Sequence, residues 1–336
     1  MSAVNVNQAP TAVGRLGAGA AATTARKSSV WKQIWRDRVM LLMIAPGLVY
    51  FILFHYLPLL GNIIAFQDYL PFLGFYDSPF VGLANFQAMF SDGAFWQAVA
   101  NTITISLLQI IFYFPAPIAL ALMLTGVIST KVRRIIQSVV YLPHFISWVI
   151  VVSIWQQVLG GSGIFVHTLR DLGLPAINVM TEPSLFKPLV ILQLIWKETG
   201  WATIIYLAAL LNIEAALYEA AVMDGAGRWQ RLWYITLPGI MGVTLLLLIL
   251  RIGAVLTVGV GGGGAAFEQI LLQRNAVGPA AGEVLDTYVY FKGIVGGQWG
   301  ITAAAGLIKG ILGTLLVYGA NRLARKAGQD GLFASS

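Results

Sequence analysis

Apolar residues gather into six long runs along the chain, near 39 to 64, 99 to 124, 135 to 159, 188 to 211, 238 to 260 and 302 to 321, with polar segments between them. Each run has about the 20 residues that a helix needs to cross the hydrocarbon core of a bilayer. None alternates with a two-residue period, and all are much longer than the roughly ten-residue strands of a membrane barrel. A backbone in hydrocarbon must satisfy its own hydrogen bonds, so the runs predict six transmembrane helices in an all-α membrane protein.

The charges between the runs predict orientation, because Lys and Arg next to a span are retained on the cytoplasmic side. The tail before the first run holds Arg15, Arg26, Lys27, Lys32, Arg36 and Arg38. The second loop holds Lys131, Arg133 and Arg134, the fourth Arg228 and Arg231, and the C-terminal tail Arg322, Arg325 and Lys326. The alternate loops hold only Arg170, Arg274 and Lys292. Both termini are therefore expected in the cytoplasm. The first external loop, about 65 to 98, has Asp68, Asp77 and Asp92 and no basic residue, and its Phe66, Tyr69, Phe72, Phe75 and Trp96 suit the interfacial belt.

Composition agrees with a bilayer. Of the 336 residues 58% are apolar and 10% charged, with mean hydropathy +0.77, whereas a soluble domain carries about a quarter charged residues. Residues 1–30, rich in Ala, Thr, Gly and Ser, read as a disordered cytoplasmic tail and not as a cleavable signal peptide. A single membrane domain is expected over 31–326, with a short tail over 327–336. No cysteine is present, which excludes disulfides, a thiolate nucleophile and cysteine metal sites. The net charge of +7 is scattered among short segments, so the expected partner is the lipid bilayer and not nucleic acid. No GxxxxGK[ST] occurs, so the chain lacks the loop that cradles ATP phosphates.

The most informative segment is the fourth loop, 212–237, which with Pro238 reads NIEAALYEAAVMDGAGRWQRLWYITLP. Helix formers from Ile213 to Met223 precede Asp224 and Gly225, and Arg228 to Tyr234 reads as a second short helix. Asp224 is placed to accept backbone hydrogen bonds at the start of that second helix, and Gly225 to supply the torsional freedom of a bend. Ala220, Ala221 and Ala226 leave a shallow surface that another protein could approach closely. Trp229 and Trp233, four apart, are expected to stack on one helical face as apolar anchors.

Glu219-Ala220-Ala221, then Asp224-Gly225-Ala226, then Ile235-Thr236-Leu237-Pro238 resemble the EAA signature of binding-protein-dependent ABC transporter permeases. The resemblance implies a type I ABC importer permease fold in which this loop is the coupling element, seated in a cleft of an ATP-binding subunit. Glu219, Ala220, Ala221, Asp224, Gly225 and Ala226 would pass closure of the nucleotide sites into the spans, while Pro238 starts the fifth span. It further implies a second homologous permease subunit, two ATP-binding subunits, an extracytoplasmic solute-binding protein, and no cofactor in this chain, since ATP and Mg are bound by the partner. Phe66 to Phe86, Gln137 to Val149 and Glu283 to Tyr290 are similar to the sugar-importing branch, especially permeases for oligosaccharides, and the resemblance covers about residues 33 to 326. One departure is Val258 to Ala266 (VGVGGGGAA), a glycine run that relatives generally lack.

Ionisable residues inside spans are costly and are functional candidates by default. Lys197 and Glu198 lie in the fourth run beside Trp196 and Trp201, Arg251 in the fifth and Lys309 in the sixth. Two readings stand side by side. Trp196, Lys197, Glu198 and Arg251 line a sugar path, binding hydroxyls and stacking on sugar faces, or they pair with one another and with helix neighbours. Lys187, at a span edge, is expected to snorkel to the headgroups. His55, His144 and His167 are too scattered for a metal site, and His144 after Pro143 suits a structural hydrogen bond in a kinked helix. Gly306 and Gly310 form a weak GxxxG signal for close helix packing. The competing functions are a secondary carrier with Lys197, Glu198 and Arg251 as an ion relay, and a non-transporting membrane scaffold.

Overall fold

The computed structural model describes Trp35, residues 37–256 and residues 267–326. The expected N- and C-terminal tails and the glycine run fall outside these. Among the described residues the protein is all-α, the one extended pairing being an isolated antiparallel bridge between Gln67 and Phe80. Residues up to Leu60 form one compact unit and residues from Gly61 another.

The first unit contains α1 (Arg38–Phe51), which continues through a π turn, Ile52–Tyr56, into Leu57–Leu60. Its side chains are apolar on every face and nearly all exposed. A helix of that kind is stable only where its surroundings are themselves apolar.

In the second unit α2 (Ala84–Ser91) leads to α3 (Gly93–Leu108), which Asp92 caps by accepting from the Ala94 amide at 2.9 Å. A π turn, Gln109–Tyr113, joins α3 to α4 (Pro115–Thr125), giving a 33-residue span. Next come α5 (Thr130–Tyr141) and α6 (Trp148–Leu159), then the 29-residue α7 (Pro183–Leu211). The connector holds α8 (Ala215–Met223) and α9 (Arg228–Arg231), and α10 (Met241–Gly253) follows it. The last elements are α11 (Phe267–Val277), α12 (Leu285–Val289) and the 28-residue α13 (Trp299–Lys326).

Among the described residues, prolines accompany three of the four π turns, the exception being Tyr290–Val295. The π turns at 52–56, 109–113 and 232–236 each end two residues before a proline: Pro58, Pro115 and Pro238. In each case the residue just before the proline donates to the carbonyl five back, as in Phe114 N–H to Gln109 O at 2.9 Å. A proline has no N–H, and its ring collides with the carbonyl four residues earlier. Widening the preceding turn moves that carbonyl aside without ending the helix.

Five helices are long and apolar enough to cross a membrane, and a sixth arises if Arg228–Gly239 and Met241–Gly253, bent by 58°, count as one span. The third apolar run differs most from expectation. The stretch 135 to 159 is not one helix: α5 ends at Tyr141, a 3₁₀ turn covers Leu142–Phe145, and Ile146 and Ser147 are extended before Ser147 caps α6. Pro143 interrupts the hydrogen-bond ladder there. The membrane-length segment is Trp148–Asp171 instead.

The core gathers around α7, which packs on α4, α5 and α11 and buries Phe186, Val190, Leu194 and Tyr206. Gly200 permits the approach of α5, because a Cβ there would lie 2.2 Å from the Val140 carbonyl oxygen. Gly300 does the same at the start of α13, where a Cβ would meet Asn85 Nδ2 at 2.4 Å and Gln67 O at 2.7 Å. Asn85 in turn donates to the Ala65 and Gln67 carbonyls. This pins the segment Phe66 to Phe86 onto the last helix.

Candidate functional site

The connector folds as two arms. The chain from α8 turns through a glycine whose φ is +76° at Gly225, in the left-handed region that other residues enter only with strain. The Gly225 amide donates to Val222 O at 3.0 Å and the Ala226 amide to Ala221 O at 2.8 Å, the paired bonds of a Schellman C-terminus. This conformation spends Asp224 as the C-cap of α8. It therefore does not cap the second helix, contrary to the expectation from spacing. Gly227 occupies that N-cap, and its amide donates to Gln230 Oε1 at 2.7 Å.

Three contacts tie the arms to the spans. The Tyr218 hydroxyl lies 3.0 Å from Thr236 Oγ1, linking α8 to the turn that enters the fifth span. Ile213 packs against Gly239, where a Cβ would come within 2.7 Å of its Cδ1. Ile213 and Leu237 join a cluster with buried Tyr206 and Ile240 and with Ala121 of α4. Pro238 itself lies ahead of the 58° bend, within the helical stretch Arg228–Gly239. Ile235 is half-buried on the same stretch.

The outer surface of the connector is apolar and uncovered. Met223 is 86% and Trp229 74% exposed, with Leu217, Val222 and Trp233 also open. Glu219, Ala220, Asp224 and Gly225 are exposed, while Ala221 and Ala226 are half-buried. Trp229 lies in α9 and Trp233 in the π turn. No ring contact joins the two indoles among the described residues.

The charges of the spans are held by protein groups. Lys197, 4% exposed, donates to the His144 carbonyl at 2.6 Å and lies 3.2 Å from Glu198 Oε1. Glu198 Oε2 is 2.7 Å from His144 Nδ1, and the His144 ring stacks on Trp201 with centroids 4.5 Å apart. Lys197 thus caps the His144 carbonyl at the break near Pro143 and, with Glu198, fastens that break to α7. Trp196 is partly exposed and meets Trp155 edge-on. Arg251 is separate: it donates to Gln109 Oε1 at 2.7 Å and lies over the Tyr113 ring. Lys309 pairs with Asp286. Among the described residues no group of three or more His, Cys, Asp or Glu is placed to hold a metal ion.

Sequence reasoning missed Tyr218, a network of three buried glutamines and the pairings of the Glu283 to Tyr290 segment. Gln193 Oε1 accepts from Gln269 Nε2 at 2.8 Å and from Gln273 Nε2 at 2.9 Å, joining α7 to α11. Glu283 pairs with Arg274, Asp286 with Lys309, and the Tyr288 hydroxyl donates to Asp92 at 3.0 Å. Only the likeness of that segment to known permeases marked it beforehand.

The fold is that of a polytopic membrane protein, with five or up to six membrane-length helices and a bent connector that leaves apolar side chains exposed. Residues 114–329 match the family described as binding-protein-dependent transport system inner membrane component. The chain is 42% identical to protein LplB of Bacillus subtilis (strain 168) over 312 residues, covering 92% of this chain and 96% of that one. It is 44% identical to the polygalacturonan/rhamnogalacturonan transport system permease protein YteP of the same organism over 299 residues, covering 89% and 91%. Among solved structures, a chain of a bacterial alginate ABC transporter, crystallised with an alginate pentasaccharide-bound periplasmic protein, superposes with TM-score 0.82 at 37% identity, covering 91% of this chain and 100% of that chain. The chain belongs to the binding-protein-dependent inner-membrane component family: it is a multi-pass permease subunit of the bacterial plasma membrane and not an enzyme.

Proposed function

We propose that this permease imports an oligosaccharide by alternating access, and that the connector carries the stroke of a separate ATPase into the spans. The sugar reading draws on relatives whose names state polygalacturonan/rhamnogalacturonan and arabinooligosaccharide transport and on a structural neighbour titled for the acidic polysaccharide alginate. A solute-binding protein delivers the sugar on the outer side. A second homologous permease completes the pathway, and two ATP-binding subunits hold ATP and Mg. Both termini and the connector face the cytoplasm, a placement supported by the basic residues of the tail, the second and fourth loops and the C-terminus.

The observation that carries the coupling role is the connector itself. It exposes Met223 and Trp229, it is bent at Gly225 with φ +76°, and it is hydrogen-bonded to the fifth span through Tyr218 and Thr236. Apolar side chains left open on a polar-rimmed loop suit a partner's groove. Glu219, Ala220, Ala221, Asp224 and Ala226 surround the bend, and Trp229, Trp233, Ile235, Leu237 and Pro238 lead from it into the spans. Closure of the nucleotide subunits moves the arms, and the 58° bend passes that movement into α10 as one of two discrete arrangements.

The absence of cysteine makes a direct test simple. M223C, introduced as the sole cysteine, is expected to cross-link to a single cysteine engineered along the groove of the ATP-binding subunit in assembled transporter, with a yield that changes on ATP binding. Gly225→Pro cannot adopt φ +76° and loses the amide to Val222, a strain of about 1–3 kcal/mol or a disrupted turn. Membrane insertion should persist in this variant while uptake is lost and ATP hydrolysis continues. Normal uptake by Gly225→Pro, or no cross-link to a nucleotide-binding subunit at any groove position, overturns the coupling role.

A further inference from the structure

Beneath the connector lies a groove of ≈ 500 Å³ where the ends of α4 and α7 meet the two arms. Its lining combines Leu122, Leu210 and Leu232 with Arg228, Arg231 and Tyr218. No lining residue is acidic. Among the described residues neither arginine has a carboxylate partner, whereas Lys197, Lys292, Lys309 and Arg274 all have one. Arg231 Nε is moreover buried without a hydrogen-bond partner. Arg133 Nε is likewise unmatched, but of the two only Arg231 lines this groove, where a ligand oxygen would match it.

We propose that this groove binds the phosphate of an anionic phospholipid, with Arg228 and Arg231 holding the phosphate oxygens and the leucines receiving the first carbons of an acyl chain. Guanidinium groups suit phosphate because their planar fork meets two oxygens at once. The shared chemistry with free phosphate is the oxyanion. The lipid is favoured because Leu122 and Leu210 of the lining belong to the ends of membrane helices, the level at which headgroups lie. A protein carboxylate would satisfy the arginines but leave the leucines uncovered. Occupied, the groove is a wedge between the two arms, bracing the link between Tyr218 and Thr236. The orientation proposed above places the site in the inner leaflet, but phosphate binding does not depend on the coupling role.

The test uses the complete transporter, this chain with its partner permease and ATP-binding subunits, in bilayer discs of phosphatidylethanolamine and phosphatidylglycerol. After transfer to mild detergent, native mass spectrometry counts the phosphatidylglycerol retained per complex. Wild type is expected to keep one molecule per copy of this chain. R228Q/R231Q is expected to lose it with the subunits still assembled, and R228K/R231K, which preserves the charge, to retain a measurable part. Equal retention by wild type and R228Q/R231Q overturns the proposal. So does displacement of the lipid by added inorganic phosphate with the ion taking its place, which makes the groove a free-phosphate site. Release of the ATP-binding subunits by R228Q/R231Q with lipid retention unchanged also overturns it, since the arginines then serve a protein partner. Coupled uptake measured on the same samples is a separate readout: loss of lipid with uptake intact leaves the coupling role standing.

Discussion

Lys197 and Glu198 are adjacent in sequence, yet they act on a distant break in the chain. Lys197 reaches the Pro143 and His144 carbonyls, at 3.4 and 2.6 Å, that a continuous helix would have matched with its own amides. Glu198 holds His144 from the other side at 2.7 Å. Of the two roles open to them, sugar contact or internal pairing, this geometry favours pairing. Lys197→Ala leaves the His144 carbonyl and a half-buried carboxylate without their cation. The expected cost is roughly 3 kcal/mol, the lower end for breaking a buried pair, read as reduced thermal stability and poorer assembly. Relative uptake of competing sugars should stay unchanged. A shift in sugar preference at normal stability would instead place Lys197 on the path. The same reasoning separates what was legible at single residues. Gly225 was legible because glycine enters the left-handed region without the strain other residues incur, and its φ is +76°. The capping role expected of Asp224 was not, because the residue before a left-handed glycine and the residue before a helix share the same preference for Asp.

Helices were legible as elements wherever hydropathy ran unbroken for about 20 residues. The interruption at Pro143 was visible as a proline, but its extent depends on Ser147 capping a new helix and Lys197 taking the His144 carbonyl. Lys197 lies 54 residues from Pro143 in the chain, and no local pattern announces that partner. The glutamine network is hidden for the same reason: Gln193 meets Gln269 and Gln273 across separate helices. A second long-range tie joins the start of α3 to the α12 region, where Asp92 takes Tyr288 at 3.0 Å and Lys292 at 2.9 Å. Burial acts to raise the Asp92 carboxyl, but hydrogen bonds from Lys292, the Ala94 amide and Tyr288, with the Lys292 charge, outweigh it and hold the group below its ordinary value. A carboxyl depressed in the folded state stabilises it above the unfolded value of about 4. That contribution is lost as pH falls through the lower, folded value. Wild type should therefore melt higher than Asp92→Asn at neutral pH, and the gap should close as pH falls below about 4. A gap that stays constant to lower pH removes the ionic tie from the account.

At the scale of the whole molecule the decisive feature is where charge can and cannot move. A secondary carrier needs titratable groups that bind and release the driving ion in step with the solute. Here Lys197 is matched by Glu198, Lys309 by Asp286, and Arg251 by the neutral Gln109 and the face of Tyr113. Arg251 therefore does not belong to one relay with Lys197 and Glu198, and membership of the binding-protein-dependent family gives the carrier reading no support. On the proposed reading the energy enters mechanically, through the connector, whose Met223 and Trp229 are exposed. The consequence is measurable in proteoliposomes holding the assembled transporter, with solute-binding protein outside and ATP inside. Uptake should continue when ionophores collapse the proton and sodium gradients, and should stop when the internal ATP is withheld with the gradients intact. The reverse pattern would return Lys197, Glu198 and Arg251 to the driving step, and the internal pairing of the spans would then have to open on every cycle at the cost of exposing buried charge to hydrocarbon.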